Sequence, residues 1–229
     1  MKRSEINKIM AEAIEFMKKK NYFLPPFAFW VESEMKIKSK DKEYAKIFAN
    51  NLGWDITDFG SGDFNKTGLF LFTVRNGNLS DKNNVKPYCE KIMISKVGQI
   101  TPYHYHKYKV EDIINRGGGV LAIQVYNADR NAEFADTDVK ICSDGREYYV
   151  PAGSIIRLRT GESVTNLQGM YHQFWAENEP CLIGEVSKVN DDKADNYFYE
   201  KIGRFPAIEE DEPPLHLLVS DYDKLKNLI

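Results

Sequence analysis

The stretch "GQITPYHYHKYKVEDIINRGGG", residues 98–119, decides how the rest of the chain is read. It begins and ends on glycine, and its centre carries His104 and His106 one residue apart, with Glu111 five positions further on. The aromatic and β-branched residues around the first histidine favour a strand. Side chains on a strand alternate between faces, so His104 and His106 project together while Tyr103 and Tyr105 project to the other side. The intervening "KYKV", residues 107–110, is long enough to carry the chain round a bend and return a carboxylate toward the two imidazoles. Three side chains of metal-ligating type would then converge. An isolated pair of this kind is just as readily a polar strip on an exposed strand.

Outward from this segment, the chain from about Gly68 is a series of short β-branched and aromatic runs: "GLFLFTV", "EKIMISKVG", "GVLAIQVYN", "DVKICS", "REYYV", "SIIRLRT", "QFWA" and "CLIGEVSKV". Turn signals separate them, among them Arg75-Asn76-Gly77, Ser143-Asp144-Gly145 and Pro151-Ala152-Gly153. That punctuation predicts an antiparallel sandwich or barrel. Before it, Ile6, Ile9, Met10, Ala13, Ile14 and Met17 recur at helical spacing behind Ser4 as a candidate N-cap, and Pro25-Pro26 stops the helix. A second helix is expected around Lys42–Asn51. The chain is therefore expected to be mainly β: a helical extension over residues 1–67 packed on a barrel over residues 68–229 with a C-terminal tail, all one structural domain. The acidic run Glu209-Glu210-Asp211-Glu212 in that tail is expected to be a solvated loop.

With 229 residues, 42% hydrophobic and 28% charged, the chain can bury a substantial core. A net charge of −3 without a long basic block gives no electrostatic reason to bind nucleic acid or an anionic membrane. Cys89, Cys142 and Cys181 are widely separated and form no CxxC pair, which predicts reduced thiols and a cytoplasmic location. The N-terminus breaks its apolar residues with Glu, Asn and Lys, and no later run approaches the ~18 apolar residues of a membrane span.

The spacing of Gly98, His104, His106, Glu111 and Gly118 is that of the first motif of the cupin superfamily, which this segment resembles. Gly117-Gly118-Gly119 is expected to make a tight turn where side chains would obstruct. The second cupin motif is only half present: Gly145, Pro151 and Gly153 match its opening, but Ile156 stands where a histidine is usual. A fourth ligand must then come from His172, in "GMYHQFWAEN", from the next strand. His216, in the proline-rich tail, is expected to be structural or exposed. Three imidazoles and a carboxylate leave two positions of an octahedral shell open and suit Mn²⁺, Fe²⁺, Co²⁺, Ni²⁺ or Zn²⁺. Such an ion can activate dioxygen, activate water, or polarise a carbonyl and its neighbouring hydroxyl. For the last role, Lys109 is a candidate to stabilise oxyanion charge or relay a proton, with a solvated turn lysine as the alternative. Glu185 interrupts the apolar strand "CLIGEVSKV" at the parity of Ile183, so it is buried near the metal if that face is the interior.

Together, "HYHKYKVEDIINRGGG", "GMYHQFWAENEP" and "GEVSKVNDDKADNYFYEKIGRFPAIEEDEPP" resemble the D-lyxose ketol-isomerases, sugar isomerases of the cupin fold. The resemblance implies a Mn²⁺-dependent homodimer that interconverts D-lyxose and D-xylulose and often accepts D-mannose and D-fructose. It implies His104, His106, Glu111 and His172 as metal ligands, with Glu111 also a proton carrier. Lys109 would lie beside the sugar, Glu185 would act as acid and base, and Asp195 and Phe198 would contact the substrate. An Fe²⁺ cupin dioxygenase, a non-catalytic sugar-binding cupin, and an isomerase of phosphorylated sugars remain open on the residues alone.

Overall fold

Residues 69–72 and 92–94 are apolar in both phases of the strand alternation, a pattern that demands cover on both faces of a sheet. The computed structural model, which describes residues 1–83, 85–192 and 194–226, provides it. The strands are β1 (Gly53–Thr57), β2 (Leu69–Arg75), β3 (Tyr88–Ser95), β4 (Thr101–Tyr105), β5 (Glu111–Ala128), β6 (Phe134–Ala135), β7 (Val139–Ser143), β8 (Arg146–Val150), β9 (Ile155–Leu158), β10 (Ser163–Asn166), β11 (Met170–Lys188) and β12 (Tyr197–Phe198). All their pairings are antiparallel.

The two long strands β5 and β11 organise the fold because each belongs to two layers. The second half of β11 pairs with β3 and with the first half of β5, extending a layer that continues through β2 to β1 on one side and through β10 and β7 to β8 on the other. The first half of β11 pairs with β4 and with the second half of β5, which also carries β9. The crossing point is Gly117–Gly119, where Gly117 and Gly118 take positive φ and the β5–β11 register shifts between Glu177 and Cys181. A Cβ on Gly118 would sit 2.0 Å from the Pro180 carbonyl oxygen, and one on Gly119 would sit 2.2 Å from that of Glu177. The glycines thus serve close backbone approach, as expected, but they bend a continuous strand where a tight turn was expected. The result is the mainly β, two-layer cupin-like barrel with an N-terminal helical extension, its sheet left open at the edges.

Leu69, Leu71, Met93, Ile113, Ile123, Val125, Phe174 and Ile183 fill the space between the layers. The opposite phase of the same strands, Phe70, Phe72, Ile92, Ile94 and Leu182, receives Ile6, Ile9, Met10, Ala13 and Met17 from helix α1 (Arg3–Lys19). The extension is not purely helical, because β1 lies within residues 1–67 and pairs with β2. Between α1 and β1 lie two further helices, α2 (Glu32–Lys38), which lacks the length for a clear periodic signal, and α3 (Ala45–Ala49), inside the expected Lys42–Asn51 helix; a short α4 (Tyr222–Lys226) follows near the C-terminus. No helix among the described residues is long and apolar enough to cross a membrane, and the three cysteines are free thiols.

The acidic run is an exposed loop, as expected, but its side chains are tied down. It clasps the start of α1, where the helix dipole favours negative charge. The buried Arg3 guanidinium donates in bidentate fashion to Glu210, at 2.8 Å, and to Asp221, at 3.0 and 3.1 Å. Ser4 does not cap the helix with its own oxygen; its hydroxyl donates to Asp211 at 2.6 Å, and Asn7 donates to Glu212. His216 is buried and stacked on Trp54, with Nδ1 against the Trp30 carbonyl. Arg3→Ala leaves Asp221 buried with less compensation, so chemical denaturation should show a loss of about 3–5 kcal/mol, the usual cost of breaking a buried ion pair. The acid limb carries the same signature. The Arg3 hydrogen bonds hold the Glu210 carboxyl down at about 2, against an ordinary 4.5, so its stabilisation is complete above about pH 4.5 and is lost as the pH falls toward 2. Arg3→Ala should flatten that part of the stability–pH curve, and an unchanged curve would remove the clasp from the account.

Candidate metal centre

His104, on β4, and His172, on the first half of β11, lie directly opposite each other in the sheet. Their ring centroids are 4.2 Å apart, and His106, just past the end of β4, is 5.3 Å from His104 and 5.6 Å from His172. Glu111 opens β5. The potential ligand atoms of these four residues all lie within 4.8 Å of one another, inside the barrel. A four-residue strand, β10, intervenes before His172, so the fourth histidine is one strand later than expected. Ile156 shows why it is needed: this residue packs on the apolar interior.

The imidazole tautomers follow from their partners. Nδ1 of His104 meets the Pro102 carbonyl at 2.9 Å, Nδ1 of His106 the Asp195 carbonyl at 2.5 Å, and Nδ1 of His172 the Met170 carbonyl at 3.1 Å. A carbonyl only accepts, so each Nδ1 is the donor and each neutral ring presents an Nε2 lone pair to the cluster. Those of His106 and His172 are buried and, among the described residues, have no hydrogen-bond partner. They face Glu111 oxygens at 3.3 and 3.1 Å. Lone pairs against a carboxylate in a buried site repel unless a cation lies between them. Burial, reinforced by His172 and His106, pulls the His104 imidazolium well below its ordinary range, which disfavours a proton on that ring. A divalent metal ion fits these donors, with the backbone-held Nδ1 groups as its orienting outer shell.

Beside the cluster lies a network of paired charges. Lys109 Nζ is 2.7 Å from Glu111 Oε2 and 2.9 Å from Glu185 Oε1. Burial works against the Lys109 ammonium, but Glu111 and Glu185 overcome it and raise the group above the ordinary lysine value. Burial likewise works against the Glu111 carboxylate, but Lys109 and His106 hold it well below the usual range. Lys109 is thus a buried cation held between two carboxylates, and the solvated turn lysine is overturned. Glu185 is 4% exposed on the interior face with Ile183 and also accepts from Ser187 Oγ at 3.1 Å.

Lys109, Glu185 and Phe198 line one cavity with three of the four cluster residues, His104, His106 and Glu111. Phe198 packs on the His104 ring, centroids 5.6 Å apart. Asp195 is not part of the lining; its carboxylate lies under the loop between β4 and β5. The sequence reading missed Lys91, Asp192, Asn196 and Arg204, which also line the cavity. Lys91 stands directly across the β3–β11 ladder from Glu185 and is 3.5 Å from both Glu185 and Asp192. Its signal was available: a charge inside "EKIMIS" at the parity of Met93 is the pattern that singled out Glu185. Asp192 and Arg204 come from irregular tail segments with no periodicity to betray their direction. Asp192, drawn far below the usual carboxylate range by Lys91 and Arg204 against its burial, is a fixed anion.

The chain matches the D-lyxose isomerase family over residues 1–222. It is 42% identical over 228 residues to a D-lyxose/D-mannose isomerase of Escherichia coli O157:H7, covering 99% of this chain and 100% of that protein. A D-lyxose/D-mannose isomerase of Serratia proteamaculans is 44% identical over 225 residues, with 97% and 98% covered. Among solved structures, L-ribose isomerase of Acinetobacter sp. DL28 in complex with L-ribose superposes with a TM-score of 0.60 at 16% identity, over 91% of this chain and 98% of that one, a likeness of fold.

Proposed function

The chain belongs to the D-lyxose isomerase family and is an isomerase, and from that premise we propose that it interconverts D-lyxose with D-xylulose, and D-mannose with D-fructose, using Mn²⁺ held by His104, His106, Glu111 and His172. The observation that carries this reading is a second buried carboxylate, Glu185, placed with Lys109 in the same cavity as the ligand cluster. Neither dioxygen chemistry nor a purely structural ion needs that pair.

Aldose–ketose conversion moves one hydrogen from C2 to C1 and one from O2 to O1. A divalent ion bound at the cluster supplies Lewis-acid polarisation of the adjacent sugar oxygens. Glu185 takes the C2 hydrogen as a proton, the C–H electron pair forms the C1–C2 double bond of an enediol, and the same carboxylate returns the proton to C1. Glu111 moves the second proton from O2 to O1, leaving the C2 carbonyl. Lys109, an ammonium held between these two carboxylates, faces the oxyanion charge that develops at O1 and O2. The apolar wall of Phe59, Leu69, Leu71, Met93, Phe174 and Phe198 limits water and receives the C–H face of the sugar.

The charge pairing favours an unphosphorylated substrate. Lys91 is paired with Glu185 and Asp192, Lys109 with Glu111 and Glu185, and Arg204 with Asp55 at 2.7 Å and Asp192 at 3.7 Å. A phosphoryl group would have to break one of these pairs and lie beside the released carboxylate.

Screening free aldopentoses and aldohexoses with the Mn²⁺-loaded protein in D₂O tests this reading. D-lyxose and D-mannose should be converted, and the ketose should carry solvent deuterium at C1. Failure to convert any free aldose would overturn the assignment. Complete retention of the original hydrogen would replace the carboxylate route with a hydride shift or a transfer shielded from solvent.

A further inference from the structure

The loop between β4 and β5, residues 106–110, carries His106, Lys109 and the approach to Glu111, yet it has no strand ladder to hold it. Three successive backbone N–H groups on this loop converge on one side chain. Lys107 N–H donates to Asp195 Oδ1 at 2.8 Å, Tyr108 N–H to Oδ1 at 3.1 Å and Oδ2 at 3.3 Å, and Lys109 N–H to Oδ2 at 2.8 Å. Successive N–H groups arranged in this way form a concavity suited to an anion, and hydrogen bonds to an ionised acceptor are the stronger kind. The same residue acts a second time through its main chain, because its carbonyl accepts the Nδ1 hydrogen of His106.

We infer that Asp195 is a positioning residue for the metal centre, setting the loop that places His106, Lys109 and Glu111, and that it does not contact the sugar. The inference rests on the metal-dependent reading above. Asp195 is 7% exposed, and its neighbour Asn196 lines the cavity while Asp195 does not. Its own backbone N–H donates to the Asp191 carbonyl at 3.0 Å. The loop is held from the other side by Gln168, which donates to the Tyr108 carbonyl at 2.7 Å, and by Gly169 N–H on the His106 carbonyl at 2.9 Å. The carboxylate is therefore one jaw of a clamp.

Each carboxylate oxygen takes at least one short N–H, and this determines how substitutions act. Asn has the same size but keeps one acceptor oxygen, and its amide N–H₂ would oppose a backbone N–H. Asp195→Asn should therefore weaken Mn²⁺ binding, and Asp195→Ala should weaken it further, within the ~10–100-fold range usual for groups that orient metal ligands.

The test is direct titration of the chelator-stripped full-length chain with Mn²⁺ for wild type, Asp195→Asn and Asp195→Ala, alongside kcat and KM at saturating Mn²⁺. The expected result is weaker Mn²⁺ binding and lower kcat with KM for the sugar within about twofold, and faster hydrogen exchange at the Lys107–Lys109 amides. Asp195→Asn preserves volume and backbone, so it decides the question if the alanine variant does not fold. Unchanged Mn²⁺ affinity in Asp195→Asn would sink the inference, and if KM rose tenfold at the same time, Asp195 would be a sugar contact. A wild-type chain that takes up no Mn²⁺ would sink the metal centre itself, and this inference with it.

Discussion

Chelator-stripped protein should lose aldose–ketose interconversion by ~10³-fold or more, and added Mn²⁺ should restore it. The magnitude follows from the several kcal/mol of charge stabilisation that a Lewis-acid ion gives a developing oxyanion, at about 1.4 kcal/mol per factor of ten in rate. Its direction follows from this chain's own atoms. Without a cation, the Nε2 lone pairs of His106 and His172 confront the Glu111 carboxylate at 3.3 and 3.1 Å, and Glu111 is left with Lys109 and Asn166 as its remaining partners. The stripped protein should also melt at a lower temperature than the Mn²⁺-loaded one, because an ion that binds only the native state stabilises it by mass action. His172→Ala should reproduce both losses without a chelator. Assaying turnover against metal content on the same samples checks the claim, and full activity in metal-free protein would exclude the proposed role of the ion.

The parts of this site that were legible in sequence share one property: a side chain whose direction is set by strand parity. His104 and His106 converge because two positions on a strand face one way, and Glu185 points inward because Ile183 does. The parts that were not legible are set by tertiary contacts. The Asp195 carboxylate accepts from backbone N–H groups, which leave no mark on residue identity, so these hydrogen bonds could not be read from the sequence. Asp192 and Arg204 reach the cavity from irregular segments. The fold shows the same division. The barrel and the amphipathic α1 follow from periodicity, whereas β11 was divided into two runs and only the second half of β5 was read as a strand, because Gly117–Gly119 and Pro180 are turn formers that here bend continuous strands. The clasp of the acidic tail on α1 was not legible because its partners, Arg3, Ser4 and Asn7, lie some 200 residues away, with Arg3 207 positions from Glu210.

Glu185→Gln should lower kcat by ~10²–10⁴-fold, the usual worth of a positioned proton carrier, while Mn²⁺ content stays at the wild-type level. The two effects separate because Glu185 is outside the four-residue ligand cluster. The fold should tolerate the change. Gln retains an oxygen to accept from Lys109 and from Ser187, at 2.9 and 3.1 Å in the native chain. Neither lysine is left without an anion, because Lys109 keeps Glu111 at 2.7 Å and Lys91 keeps Asp192 at 3.5 Å. What Gln lacks is a basic oxygen able to take the C2 proton and return it to C1. Residual turnover should therefore lose deuterium exchange at C1 in proportion to rate, and KM should move much less than kcat. Wild-type turnover in Glu185→Gln would transfer the proton chemistry to Glu111, the other carboxylate on Lys109, and would reduce Glu185 to the counter-ion of two buried lysines.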